Sequence, residues 1–179
     1  AWINSSAFPV SDASIVSKKN FDGKGYQLDT TVDTGPRTIG FKLTNASDAD
    51  MIRYGATSLQ LDQWYYVTGV YNAQAQTLDV YLNGVLDNGS LAGAITNTQK
   101  NFSVNVNIGR HPGAAWYFFD GLIDEVRIYN RALSQAEIQA EMNAATAPAA
   151  PDTTAPAAPT GLAALGQARF SETVEGELA

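Results

Sequence analysis

The strongest constraint on the fold is a β-hairpin between residues 77 and 86. The run Thr77–Leu82 alternates between polar and apolar side chains, as a strand with one buried face does. Asn83-Gly84 follows directly, and this dipeptide suits a two-residue turn in which both φ angles are positive. Val85 then begins a return strand. The hairpin predicts antiparallel β-structure.

Other segments repeat the strand pattern at short spacing. Residues 103–108 alternate, and their apolar side chains are expected to face the core. Residues 64–71 are rich in aromatic and β-branched side chains, which predicts a central strand with Trp64 buried. Residues 25–30 and 38–43 are further candidates. Many short antiparallel strands predict an all-β, two-sheet sandwich.

One short C-terminal helix is well specified. Ser134 is a suitable N-cap, and Glu137 stands three residues later, as in a capping box. Leu133 before the cap and Ile138 in the first turns can form a hydrophobic staple. The helix is expected to end near Asn143 and to lie against one end of the sandwich.

Composition excludes several classes of function. The formal charge of −7 disfavours nucleic acid as a partner, since phosphates would be repelled. The chain has no cysteine, so it has neither disulfides nor a thiol nucleophile. No apolar run approaches the roughly 18 residues of a membrane span, so membrane insertion is not expected.

The chain divides into three parts by composition. Residues 1–145 are predicted to form the folded domain. Residues 146–160 are rich in proline, alanine and threonine, which predicts an extended linker. Residues 161–179 form a tail that is too short for a core of its own. This tail is interpreted as the start of a further domain.

A resemblance to a known family rests on five segments in the expected order. Residues 119–134 (FDGLIDEVRIYNRALS) resemble the closing strand of the laminin-G-like, concanavalin A-like jelly rolls. Residues 63–71 (QWYYVTGVY) and 78–84 (LDVYLNG) resemble the tryptophan strand and the next hairpin. Residues 15–18 (IVSK) and 107–110 (NIGR) also fit. Separately, residues 152–162 are similar to the entry of a fibronectin type III domain.

The resemblance implies a jelly-roll sandwich of two curved antiparallel sheets. It implies that the chain is an accessory module of a secreted or cell-surface protein and therefore extracellular. Family domains normally carry a further N-terminal segment with a first strand that pairs near the closing strand. Residues 1–145 are therefore interpreted as an N-terminally truncated domain, in which the closing strand exposes an edge.

Enzymatic activity is not expected of this chain. Nucleophilic hydrolysis needs a base near the nucleophile, and the only histidine, His111, lies in a loop-like segment. The related glycosidases carry alternating acidic residues on one strand face, and no such run is present. Asp124 and Glu125 are adjacent, so a strand would point them to opposite faces.

A loop cluster is the candidate carbohydrate-binding site. Sugar rings stack on exposed aromatic faces, and polar side chains bond their hydroxyl groups. Arg110, His111, Trp116 and Tyr117 offer both kinds of group close together in sequence, and Tyr54 is added as a further member. The alternative interpretation is that Trp116 packs under its own loop.

Asp124 is the candidate metal ligand. It precedes two apolar residues that are expected to face the core, where a carboxylate is costly unless it is paired. The resemblance implies a structural calcium ion, because related jelly rolls use a matching aspartate. The alternative is that Asp124 caps a turn or accepts backbone N–H groups.

The leading hypothesis is a non-catalytic carbohydrate-binding module whose partner is a glycan or extracellular polysaccharide. The alternative is a structural or adhesive module that binds an extracellular protein and has no glycan specificity.

Overall fold

The computed structural model describes residues 1–20, 22–112 and 116–146. The predictions for residues 147–179, including the fibronectin-like tract, lie outside this part of the chain. The described strands are β1 (Trp2–Ser5), β2 (Ala13–Lys19), β3 (Gly25–Thr31), β4 (Thr38–Thr44), β5 (Asp50–Gly55), β6 (Trp64–Asn72), β7 (Thr77–Leu82), β8 (Val85–Leu86), β9 (Asn88–Ala92), β10 (Asn107–Ile108) and β11 (Gly121–Asp124). One helix follows, α1 (Gln135–Thr146).

The strands form two antiparallel sheets. One sheet has five strands in the order β11-β1-β6-β7-β8, and the other has six in the order β10-β2-β3-β4-β5-β9. Neighbouring strands come from distant parts of the chain, as β1 between β11 and β6 shows. The predicted all-β sandwich with a short C-terminal helix is confirmed. No helix in the described part of the chain is long and apolar enough to cross a membrane.

The apolar core lies between the two sheets. Ile15 and Ile39 of the six-stranded sheet meet Ile3, Val67 and Val80 of the five-stranded sheet, and all five are almost completely buried. Burial of such a side chain stabilises the fold by roughly 1.5–3 kcal/mol. Of these residues, Val80 lies on the face of β7 that the alternation of residues 77–82 predicted to be buried.

The predicted hairpin and helix start are both confirmed. Asn83 and Gly84 have φ angles of 51° and 74°, as a two-residue turn with both central φ angles positive requires. At the start of α1 the Ser134 backbone N–H donates to Glu137 Oε2 at 2.8 Å, and the Glu137 N–H donates to Ser134 Oγ at 3.3 Å. These reciprocal bonds are a capping box. The helix extends three residues beyond the expected end.

The sequence placed the helix at one end of the sandwich, but α1 lies on the outer face of the five-stranded sheet. Leu133 and Ile138, the predicted staple, are buried against Tyr66 and Val70 of β6. Trp2 packs on the same cluster, with its ring 5.3 Å from that of Tyr66. A second, smaller core thus fixes the helix to the sheet.

Two sequence predictions are wrong. Trp64 is 46 % exposed rather than buried, because it lies on the outer face of β6 beyond the part that α1 covers. In residues 103–108 only Asn107–Ile108 form a strand, and Val106 and Ile108 are 41 % and 55 % exposed. This strand lies at a sheet edge and pairs with β2 alone, so alternation there does not bring burial.

Gly69 of β6 lies directly against the ring of Phe41 from the opposite sheet. A Cβ atom on Gly69 would lie 2.6 Å and 2.7 Å from two ring carbons of Phe41, well inside van der Waals contact. The glycine in the middle of β6 therefore leaves room for an aromatic ring from the opposite sheet.

We expect Gly69→Ala to lower the free energy of unfolding by roughly 1–3 kcal/mol, the usual cost of overpacking a core. The φ angle of Gly69 is not positive, so steric overlap with Phe41 is the cause. Urea denaturation measures the effect. The double variant Gly69→Ala/Phe41→Leu should recover part of the loss, and strictly additive losses would contradict the assigned contact.

Candidate functional site

The outer face of the six-stranded sheet, here called the polar face, carries polar side chains that are nevertheless buried. They alternate along β2, β3 and β4 with side chains of the core. Its buried members include Ser14, Ser17, Gln27, Asp29, Thr31, Thr38, Lys42 and Thr44. Buried polar groups require hydrogen bonds or ion pairs, so this face must be internally connected.

Lys42 makes the main connection on the polar face. Its Nζ atom lies 2.6 Å from Asp12 Oδ2, 2.9 Å from Asp33 Oδ2 and 3.4 Å from Asp29 Oδ2. Tyr54 extends the cluster by donating its hydroxyl group to Asp33 Oδ2 at 3.1 Å. One ammonium group therefore joins carboxylates from β3, from the loop before β2 and from the turn between β3 and β4.

Burial and charge shift the pKa values of this cluster in opposite directions. Burial raises the pKa of Asp29 from 3.8 to about 7 and outweighs the attraction of Lys42. Burial alone would lower the pKa of Lys42, but its three carboxylate neighbours raise it above the ordinary value. Burial and the neighbouring Asp33 raise the pKa of Tyr54 to about 12. Lys42 therefore stays charged at neutral pH.

Three polar atoms on this face of the described sheet are buried without a hydrogen-bond partner: Asp29 Oδ1, Ser14 Oγ and Thr38 Oγ1. Asp29 and Ser14 are directly opposite each other on β3 and β2. Asp29 also lies over Gly40, where any side chain would collide with its carboxyl group. A protonated Asp29 reduces the cost of this arrangement, since a neutral carboxyl group is easier to bury than a charged one.

The aromatic rim of the site lies beside β2. The ring of His111 is 5.7 Å from that of Tyr117, and the ring of Trp116 is 6.4 Å from that of Tyr117. Backbone bonds hold the rim in place: the Ser14 N–H donates to the Tyr117 carbonyl at 3.3 Å, and Ser11 Oγ donates to the Trp116 carbonyl at 3.0 Å. His111 is buried, whereas Trp116 is 66 % exposed.

His111 belongs to the same electrostatic environment as the polar face. Burial lowers its pKa, and the charge of Lys19 lowers it further. Burial lowers the pKa of Lys19, and the charges of Asp29 and Lys42 also act on this pKa. The imidazole is therefore neutral at pH 7, and a neutral imidazole has one donor and one acceptor nitrogen.

The structure brings together some of the predicted site residues and separates one. His111, Trp116 and Tyr117 form the rim, and Arg110 is exposed next to His111 along the chain. Tyr54 lies on β5, with β3 and β4 between it and β2, and it is buried in the Lys42 cluster.

Sequence reasoning missed the Lys42 cluster. The signal was present: Gln27 and Asp29 alternate with Tyr26 and Leu28 along β3 and so share one face. What the alternation does not show is that this outer face is buried. Loop contacts decide that, such as the bond from Arg37 Nη1 to the Ser11 carbonyl at 2.9 Å.

Asp124 lies on the exposed outer side of the five-stranded sheet and not toward the core. It pairs with Trp2 on β1, and its Oδ1 atom accepts the Glu125 N–H at 2.8 Å. Glu125 has a φ angle of 50°, and this left-handed residue interrupts the alternation, so Val126 can pack against the core. Asp124 therefore accepts a backbone N–H, as the alternative interpretation expected.

The surroundings of Asp124 do not fit a calcium site. Calcium takes six to eight oxygen ligands. Within residues 1–20, 22–112 and 116–146 there is no group of at least three histidine, cysteine or acidic side chains that could hold a metal ion. No role is therefore derived for calcium at Asp124.

The two antiparallel sheets, with the polar face on one and the helix on the other, define a lectin-like β-sandwich. The chain belongs to the concanavalin A-like lectin/glucanases superfamily, whose laminin G family model matches residues 1–139. No curated protein matches the sequence.

One solved structure with a similar fold is that of a putative carbohydrate binding protein from Bacteroides ovatus. The two chains are 18 % identical and superpose with a TM-score of 0.60. The match covers 78 % of this chain but only 38 % of the other. At this identity the likeness concerns the fold alone.

The raised pKa of Asp29 predicts a pH dependence of stability. Between about pH 4 and pH 7 an unfolded aspartate loses its proton while the buried Asp29 keeps it, so the free energy of unfolding falls as pH rises. Asp29→Asn removes this contribution. Denaturation at several pH values should show a shallower decline for this variant than for the control Asp62→Asn, and parallel profiles would contradict the assignment.

Calcium is expected to leave the melting temperature of this chain unchanged. The physical reason is that, among the described residues, Asp124 belongs to no group of three or more histidine, cysteine or acidic side chains. Melting curves in calcium and in a chelator should coincide for the chain and for Asp124→Asn. A calcium-dependent rise that Asp124→Asn abolishes would show that ligands are present after all.

Proposed function

We propose that this chain is a non-catalytic, extracellular carbohydrate-binding module whose ligand stacks on Trp116. The observation that carries the proposal is the exposed indole of Trp116, held at the edge of a polar face by backbone bonds. A flat aromatic surface in a fixed position can cover one face of a sugar ring.

Polar groups next to Trp116 can select the sugar. Tyr117 connects Trp116 to His111, and Arg110 is exposed next to His111. The guanidinium group of Arg110 donates hydrogen bonds. His111 is buried and packs against the Tyr117 ring, which it helps to position. Hydroxyl groups of a glycan or extracellular polysaccharide match this set.

The burial of Asp29 supports a binding role rather than a catalytic one. Glycoside hydrolysis needs two carboxyl groups at the scissile bond, one of them protonated. Asp29 has the raised pKa of such an acid, but it is completely buried and cannot reach a substrate. Asp12 and Asp33 are tied to Lys42. These carboxylates therefore stabilise the fold. Membership in a superfamily of lectins and glucanases is consistent with a glycan ligand.

Trp116→Ala should weaken glycan binding about ten-fold or more, the effect of removing a central aromatic contact. A glycan array would first identify a ligand, and titration calorimetry would then compare the variants. Trp64→Ala is the matched control, because Trp64 is also exposed but lies on the other sheet.

Equal loss in both variants would contradict a site at Trp116. Absence of binding to any glycan by the folded chain would instead favour an adhesive module that binds an extracellular protein.

A further inference from the structure

One edge of the six-stranded sheet has no partner strand. Strand β10 pairs with β2 on one side, and no described strand lies on its other side. Among residues 1–20, 22–112 and 116–146, no backbone–backbone hydrogen bond beyond the β10–β2 ladder reaches residues 103–108. A free row of N–H and C=O groups is a template for a further strand. Residues 103–108 are here called the β10 edge.

The ladder with β2 determines which backbone groups of the β10 edge point outward. Successive residues of an antiparallel strand direct their N–H and C=O groups to opposite sides. The Gly109 N–H donates to the Ile15 carbonyl at 2.9 Å, so Gly109 points toward β2. Ile108 therefore points away from the sheet. The alternation predicted from the sequence gives Val106 and Val104 the same outward direction.

The side chains of the β10 edge are apolar and uncovered. Ile108 lies opposite Val16, which is a residue of the core, yet Ile108 itself is exposed. Val106 is exposed as well. A strand that pairs with this edge would satisfy the outward backbone groups and also cover part of this apolar surface.

The absence of charge distinguishes the β10 edge from the other edge on the same side of the sandwich. A Cβ atom on Gly109 would lie 3.7 Å from the side chain of Ile123, so β10 and β11 end on one side. Strand β11 carries Asp124 and follows Asp120, and such charges protect a sheet edge. Residues 101–109 contain no charged side chain. The β10 edge therefore lacks this protection.

The β10 edge is complementary to a second copy of itself. Residues that are directly opposite each other in an antiparallel pair share one face of the sheet. A two-fold axis at Val106 sets this residue opposite its own copy. Val104 then meets Ile108 of the second copy, which keeps apolar side chains on one face. Asn105 meets Asn107 on the other face. This register also brings together only those backbone groups that point outward.

The residues at both ends of the β10 edge favour this register. Gly109 has a φ angle of 72° and ends the strand after Ile108. At the other end, Lys18 Nζ of β2 donates to the Phe102 carbonyl, which is thereby held on the β2 side. Moving the axis to Asn105 would set Ile108 opposite Phe102, whose carbonyl is already bonded.

We propose that two copies of this chain associate through antiparallel pairing of residues 104–108, with Val106 on the two-fold axis. The six-stranded sheets of both copies then form one continuous sheet. Each copy keeps its aromatic rim, because Tyr117 lies beside Ser14 and outside the paired residues. The contact is about five residues, or roughly 17 Å, long. For an interface of this small size we expect a dissociation constant of roughly 10–500 μM.

Sedimentation velocity of the 179-residue chain over a concentration series should show a monomer–dimer equilibrium. Val106→Lys sets two ammonium groups opposite each other and should weaken the dimer about ten-fold or more. Leu91→Lys is the matched control: Leu91 is 43 % exposed, against 41 % for Val106, and lies on β9 at the other edge of the same sheet. The control should keep the dissociation constant of the unaltered chain.

A mixture of Val106→Lys with Val106→Glu tests the register. Opposite charges then meet on the two-fold axis, so the one-to-one mixture should dimerise about ten-fold or more tightly than either variant alone. Melting curves should show that both variants are folded. Failure of the folded mixture to recover the dimer would place the contact elsewhere and overturn the proposal.

Amide hydrogen exchange at Val106 and Ile108 should slow as the concentration of the unaltered chain rises, but not in Val106→Lys. A chain that stays monomeric at about 1 mM would overturn the proposal. Growth into open-ended oligomers would do the same, since a two-fold contact closes with two copies. Protection of both amides in the dilute monomer would also overturn it, because another segment of the same chain would then cover the edge.

Discussion

The sandwich depends on the compensation of charge around Lys42. The six-stranded sheet is buried on both faces, but only one of these faces is apolar. Burying the other is possible because one ammonium group holds Asp12, Asp29 and Asp33 together. A buried ion without such partners would cost several kcal/mol. The Lys42 cluster also joins the loop before β2 to β3 and β4, so it shapes the surface beside which the aromatic rim lies.

The five-stranded sheet differs in that both of its faces are apolar. Its inner face meets the common core, and its outer face is apolar enough to hold helix α1 through Tyr66 and Val70. The two sheets therefore offer different chemistry: a polar face beside an aromatic rim on one, and an apolar outer face covered by helix α1 on the other.

Local patterns predicted the fold wherever the interaction spans few residues. Asn83-Gly84 specified its turn, and Ser134 with Glu137 specified the helix start, because each signal acts within four residues. Residues 25–30 and 38–43 were strand candidates for the same reason, and they form β3 and β4. The prediction that Trp64 is buried was wrong because its exposure depends on how much of β6 is covered by α1. That helix lies about 70 residues later in the chain.

The sequence by itself determined the hairpin of β7 and β8, the strand β6 and the capped helix, because neighbouring residues encode them. Only the tertiary structure decided that Tyr54 joins Lys42 rather than Trp116, since two strands separate β5 from β2. It also decided that Asp29 is buried and that Asp124 is exposed. Whether a polar side chain is solvated, paired or aimed at a ligand depends on segments far away in the chain, and the folded sheets alone bring those segments together.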